Sequence, residues 1–289
     1  MSDWRKNLIP RTPFLASGNY DEARAVIFGV PMDFTVSFRP GSRLGPTRIR
    51  EVSDVLEEYS IDLDSSLEEH PLADLGDVDL PFGNVSKSLE QAAEVCRGIL
   101  DDGKLPIALG GEHLISWPLI EQVYERHPDL IVLQFDAHAD LRADYHGEAS
   151  SHASVMRRVA ELFPENERRI YQFGIRSGTK DEVEYAREHT YFRPFEVWEP
   201  FLELLPSLKG KPIYLTLDID VFDPAYAPGT GTPEPGGVEP QQLFRVIKAL
   251  RGSRVVGCDL VEVAPVQDPT ERTAVLAAKL VREMILAFA

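Results

Sequence analysis

Three short segments concentrate side chains able to hold a cation and move a proton. Phe135-Asp136-Ala137-His138-Ala139-Asp140, directly behind the apolar run Leu130 to Gln134, sets three potential ligands within five residues. Asp218 and Asp220 stand behind a second run, Ile213-Tyr214-Leu215-Thr216-Leu217, and Gly110-Gly111-Glu112-His113 follows a third, Leu105 to Leu109. A further acid, Glu262, closes Gly257-Cys258-Asp259-Leu260-Val261-Glu262. Each has an ordinary explanation taken alone: a capping Asp in a solvated loop, an Asx turn at Asp218-Ile219-Asp220, a satisfied helix-cap histidine at His113. Gathered at buried strand ends, the carboxylates would be costly unless they shared a proton or a cation. The first three segments offer Asp136, Asp140, Asp218 and Asp220 with the imidazoles of His113 and His138. That is too much negative charge for one small cation, and it suits two divalent ions about 3.5–4 Å apart bridged by shared carboxylates. Oxygen-rich ligation without thiolate favours Mn²⁺ or another hard ion. Such a pair generates a bridging hydroxide at neutral pH, so hydrolysis of a poor electrophile is the expected reaction class.

The elements that must position these residues follow from their placement. All four clusters lie at the carboxyl ends of separate expected strands, and ligands of open α/β sheets gather at that rim. Within a continuing strand Asp136, His138 and Asp140 would be spread along it at about 3.3 Å per residue, so they converge on one point only if the chain leaves the strand immediately after Asp136. Strands are expected at residues 24–30, 105–109, 130–135, 170–174, 212–217 and 254–260, several of them nearly continuous apolar stretches of the kind that helices cover on both faces. Helices are expected over 86–100, with Leu89, Ala92, Ala93, Cys96 and Leu100 on one face, and over 270–288. The Gly/Pro-rich segment Asp223–Gly237 has no element pattern, and a long ordered loop in such a domain is usually functional. From about Ala25 strands and helices alternate without repeat or linker. The expectation is one domain over residues 1–289, a three-layer α/β/α fold with a mainly parallel sheet.

Composition narrows the function. The 289 residues are 43% hydrophobic and 27% charged, a globular balance, and 30 Lys plus Arg against 47 Asp plus Glu leave a formal charge of −17. Such a surface repels phosphate backbones and anionic lipid, so neither nucleic acid nor membrane is an expected partner. No apolar run is long enough to span a bilayer, and Met1-Ser2-Asp3-Trp4-Arg5-Lys6 has no signal-peptide core. Cys96 and Cys258, far apart and outside any CxxC, are expected to be reduced thiols in the cytoplasm.

Across nearly its whole length the sequence resembles the ureohydrolases of the arginase/agmatinase superfamily. The resemblance is carried by Gly110-Gly111-Glu112-His113, Asp136 to Asp140, Ser151-His152-Ala153-Ser154, Asp218-Ile219-Asp220-Val221-Phe222-Asp223-Pro224, the segment from Gly229 to Gly237, and Glu262. Gly29 to Asp33, Arg39 to Pro46 and Gly174-Ile175-Arg176-Ser177-Gly178 are similar to the bacterial agmatinase branch. The resemblance implies an arginase-type fold and two Mn²⁺ per chain, one held by His113, Asp136, Asp140 and Asp218, the other by Asp136, His138, Asp218 and Asp220. It implies that Glu262 pairs with a substrate guanidinium, that Thr232 also touches substrate, and that His152 contacts it and shuttles the proton to the departing amine. His146 competes for that last role. The implied substrate is a small cationic guanidino compound, with agmatine cleaved to putrescine and urea for polyamine synthesis, and the implied assembly is a cytoplasmic homo-oligomer, trimer or hexamer. Guanidinobutyrate or arginine as substrate, a zinc amide deacetylase on the same fold, and a metal-stabilised non-enzyme are the alternatives. Two departures from the family stand out. Leu114 replaces a common Ser after His113, and Arg142 occupies the region where arginases place an Asn for the α-carboxylate. Its neighbours Asp140, Asp144 and Glu148 are the expected partners of Arg142.

Overall fold

Period-two alternation along the central strands divides the core into two layers, one on each face of a sheet. In the computed structural model, which describes residues 4–289, strand β1 covers Leu8–Ile9, β2 Ala25–Val30, β3 Tyr59–Ser60, β4 Ser65–Ser66 and β5 Leu72–Val78. Then come β6 (Leu105–Gly110), β7 (Ile131–Phe135), β8 (Ile170–Phe173), β9 (Tyr191–Arg193), β10 (Ile213–Asp218) and β11 (Val255–Val261). Met1, Ser2 and Asp3, part of the stretch examined for a signal peptide, lie outside the described residues. Nine strands form one sheet in the order β1-β5-β2-β6-β11-β10-β7-β8-β9, and β3 pairs with β4 separately. Every pairing in the large sheet is parallel except β1 with β5. Ala25 and Ile27 of β2, Leu133 and Phe135 of β7, and Ile213, Leu215 and Leu217 of β10 enter one core cluster. Val26, Phe28 and Val30, then Val132 and Tyr214, enter the other. Helices α1 (Gly45–Ser53), α6 (Trp198–Leu204), α7 (Pro240–Ala249) and α8 (Arg272–Phe288) cover the first layer. Helices α2 (Val85–Asp101), α3 (Ser116–Arg126), α4 (Val155–Ala160) and α5 (Lys180–His189) cover the second. Both layers are buried and apolar, which is why these strands read as continuous apolar runs.

The differences from expectation have local causes. The expected helix over 270–288 begins two residues later, because Glu271 takes a left-handed φ of 62° and Asp268 supplies the cap, accepting from the Thr273 N–H at 2.9 Å. The helix expected over 86–100 gains a residue at each end, with the Asn84 side chain accepting from the Lys87 N–H at 3.0 Å. Strand β5 was not expected because Asp74, Gly76 and Asp77 interrupt its apolar pattern. Its carboxylates are neutralised from α1: Arg50, 1% exposed, reaches Asp74 at 2.7 Å and Asp77 at 2.6 Å. Breaking such a buried pair from one side would leave an uncompensated charge.

Candidate metal centre

Strands β6, β11, β10 and β7 are consecutive neighbours and all parallel, with Leu109 paired to Leu260, Asp218 to Val261 and Leu217 to Phe135. Their carboxyl ends are therefore level, and the four ligand-bearing segments leave the sheet side by side. Asp218 is itself the last residue of β10, and the chain turns out of β7 at Asp136, whose Oδ1 accepts the His138 N–H at 2.7 Å. Asp140 takes φ 55°, a conformation Asp tolerates better than most residues. On β6 the exit needs Gly111, where a Cβ would lie 2.0 Å from the Met32 carbonyl oxygen. Glu262 takes φ 65°, its N–H donating to the Gly111 carbonyl at 2.8 Å, and its Oε1 accepts the His113 N–H at 2.8 Å.

Two triads result. The ligand atoms of His113, Asp136 and Asp140 lie within 4.8 Å of one another, as do those of Asp136, His138 and Asp220, so Asp136 belongs to both. His113 Nδ1 is 3.0 Å from both Asp136 Oδ2 and Asp140 Oδ2, and His138 Nδ1 is 2.9 Å from Asp220 Oδ2. Asp218 stands beside the first triad, its Oδ2 3.5 Å from His113 Nδ1, and its Oδ1 accepts the Asp220 N–H at 2.8 Å. Behind His113, Thr216 donates its hydroxyl proton to Asp259 at 2.6 Å, so Thr216 Oγ1 accepts from His113 Nε2 at 2.9 Å. That chain leaves Nδ1 as the nitrogen directed at the carboxylates.

The donor set fits a pair of hard divalent ions. Buried His113 Nδ1 and Asp220 Oδ2 make no aligned hydrogen bond despite their close neighbours, the geometry of ligands aimed at a common point rather than at each other. Burial, with Asp140 and Asp220 adding repulsion, pushes Asp136 up to about 7, and burial with Asp220 and Asp136 pushes Asp218 well above the usual carboxylate range. Burial alone would raise Asp220, but His138 outweighs it and holds it at about 2. Burial opposes the charge on His138 too, yet Asp220, Asp136 and Asp140 lift it to about 10. Positive charge at this point would relieve the crowding.

Above the triads lies a cavity of about 300 Å³ whose lining includes His138, His152, Thr232 and Glu262. Burial and Glu112 push the Glu262 carboxyl up to about 8. Burial lowers His152 below the ordinary histidine value. His146 faces a separate cavity of about 550 Å³, its ring 4.5 Å from that of Tyr145. A larger cavity, about 920 Å³, opens between α2 and α3, but it gathers no imidazole, so size does not locate the chemistry here. Arg142 lines the 300 Å³ cavity. Contrary to expectation its partner is none of Asp140, Asp144 or Glu148: it lies 3.5 Å from Glu182 and stacks over Tyr145 at 4.9 Å. Glu182 wins because the start of α5 fixes it there, accepting from the Thr179 N–H and hydroxyl at 2.8 and 2.9 Å.

Sequence reasoning missed Glu112, Thr35 and Ser37. Glu112 is fully buried, receives the N–H groups of Phe34 and Thr35 and the Thr35 hydroxyl, and is pushed up to about 7 by burial. A charged residue between Gly111 and His113 was the available signal. Arg176, noted only as part of a motif, ties the Gly/Pro-rich loop to the strand ends by donating to the carbonyls of Glu234 at 2.7 Å and Asp220 at 2.6 Å. Both cysteines are buried and free. Among the described residues no helix is long and apolar enough to cross a membrane.

Residues 23–287 match the arginase family. The chain is 52% identical over 280 residues to the agmatinase of Bacillus subtilis (strain 168), covering 95% of this chain and 96% of that one. It is 53% identical over 272 residues to the agmatinase of Bacillus anthracis, 93% of each chain. The crystal structure of the agmatine ureohydrolase of Thermoplasma volcanium superposes with a TM-score of 0.88 at 34% identity, covering 98% of this chain and 96% of that one. The mainly parallel sheet between two helix layers is the arrangement this chain shares with that structure.

Proposed function

The chain belongs to the arginase family, and on that premise we propose that it is a manganese-dependent amidino hydrolase cleaving agmatine to putrescine and urea. One observation carries the reading: two imidazole–carboxylate triads share Asp136 beneath a cavity into which Glu262 presents a buried carboxylate. In this reading His113, Asp136, Asp140 and Asp218 hold one ion, and Asp136, His138, Asp218 and Asp220 hold the other. Two such ions, when bound, supply Lewis acidity and a nucleophile drawn from water at neutral pH. The protein does the rest. Glu262 pairs with the planar guanidinium, charge-assisted and favoured by low exposure. Thr232 lines the same cavity, and Glu262 and the triads orient the guanidinium carbon. His152 gives a proton to the departing amine, a role suited to a group titrating near neutrality.

Arg142 gives the guanidinobutyrate reading its one supporting observation, a cation on the cavity wall. Its charge is offset by Glu182 at 3.5 Å, so an extra α-carboxylate, as in arginine, meets no dedicated partner there. A single domain, a homo-oligomer built of trimers and a cytoplasmic place in polyamine synthesis belong to the same proposal. The test is urea release by manganese-loaded protein across agmatine, guanidinobutyrate and arginine. Agmatine should exceed arginine in kcat/KM by at least about 10³-fold, the discrimination an unpaired buried charge gives. Comparable values overturn the substrate assignment, a preference for guanidinobutyrate renames it, and no urea from any of them overturns the chemistry.

A further inference from the structure

Thr35 lies in the loop after β2, 117 residues before His152, yet it touches that histidine twice. Its Oγ1 accepts the His152 main-chain N–H at 3.0 Å and lies 3.5 Å from the ring Nδ1. On its other side the hydroxyl proton is committed: Thr35 donates to Glu112 Oε2 at 2.6 Å, and the same carboxylate takes the Thr35 N–H at 3.0 Å and the Phe34 N–H at 3.1 Å. A hydroxyl has one proton to give, so towards His152 this oxygen can only accept. The ring nitrogen beside it must then carry hydrogen. On the opposite edge of the imidazole, Ser37 Oγ lies 3.0 Å from Nε2 and has a proton free to donate to it.

We propose that Thr35 is the positioning residue of His152, holding the ring as its Nδ1–H tautomer so that Nε2 is the nitrogen that exchanges a proton in the cavity. The inference rests on the His152 role proposed above. Glu112 acts through Thr35: its buried carboxylate fixes the direction of the hydroxyl, and the main-chain bond to His152 fixes the distance. Thr35 touches neither triad, so its effect is confined to proton transfer. A wrong tautomer would present Nε2–H where the neutral ring needs a lone pair to take up the proton that it then gives to the departing amine, a fault of rate and not of binding.

The test is a double-mutant cycle on the manganese-loaded protein with agmatine. Thr35→Val should lower kcat about 10–100-fold, the usual effect of removing a partner that orients a functional side chain, with KM and manganese content unchanged. Thr35→Ser, which keeps the hydroxyl, should restore most of the rate. Combined with His152→Ala, Thr35→Val should cost nothing further, because a residue acting only through His152 has no effect once the imidazole is gone. A double variant clearly slower than His152→Ala, a Thr35→Ser as slow as Thr35→Val, or loss of manganese in Thr35→Val would each overturn the inference. If Thr35→Val does not fold, Thr35→Ala takes its place in the same cycle. His152→Ala with near-normal activity would instead overturn the His152 reading itself, whereas a crippled His152→Ala beside a normal Thr35→Val overturns the Thr35 inference alone.

Discussion

Glu262→Gln separates charge from shape at the point proposed to hold the substrate cation. The amide has nearly the carboxylate's volume, and its oxygen can still accept the His113 N–H that Glu262 Oε1 accepts at 2.8 Å. Glu262 belongs to neither triad, so manganese content should stay near two per chain. What disappears is the negative charge that a bound guanidinium and metal cations would draw from the carboxyl, on a residue only 7% exposed and therefore poorly screened. Removing one partner of a buried ion pair costs about 3–5 kcal/mol, which at 1.36 kcal/mol per tenfold is about 10²–10⁴ in kcat/KM. Glu112, Asp218 and Asp220 remain nearby to attract a cation, so the lower half of that range, about 10²–10³-fold, is expected. Stability should move the other way. In the folded chain free of metal and substrate, the Glu262 carboxyl, pushed up to about 8 by burial and Glu112, keeps its proton where the unfolded chain has lost it. Its contribution to stability therefore falls as pH rises from the ordinary carboxylate range through about 8. In chelator-treated protein the variant should gain on the wild type in thermal midpoint between about pH 5 and about pH 9. Steady-state urea assays and thermal melts read both effects. A variant with full kcat/KM, or one that loses ground as pH rises, would refute the reasoning.

Asp136→Asn should strip more metal than His113→Asn, because Asp136 belongs to both triads and His113 to one; metal analysis should find well under one ion in the first and about one in the second. His146→Ala should leave urea release within about twofold of wild type, since a side chain outside the reacting cavity contributes little there, and a crippled variant would exchange its role with that of His152. Gly111→Ala should lower stability by about 1–3 kcal/mol in denaturant melts, because its Cβ meets the Met32 carbonyl at 2.0 Å and the loop carrying His113 must move.

The site was legible because buried parallel strands announce themselves. Ile213 to Leu217 and Leu130 to Phe135 are apolar but for Thr216 and Gln134, and an acid directly behind each has one place to go, the rim. The positions of Asp136, His138, Asp218 and Asp220 follow from that rule. What was not legible depends on contacts distant in sequence. Strand β5 hides because its acids are answered by Arg50, on a helix more than twenty residues earlier. Thr35 and Ser37 reach His152 across more than a hundred residues, and nothing local marks a threonine as a hydrogen-bond bridge. Arg142 was paired with its sequence neighbours, whereas the fold brings Glu182 to it from the first turn of α5. Local pattern reveals which elements form and where they end, and tertiary packing alone decides which polar groups meet.

The most direct test of the binuclear hydrolase reading is a metal titration of chelator-stripped protein, with bound manganese and urea release from agmatine followed together. Each triad offers ligands for one ion and the two share Asp136, so activity should rise to its plateau only as the second equivalent binds. Full activity at one bound ion per chain, or a plateau of urea release that bears no relation to occupancy, would contradict it.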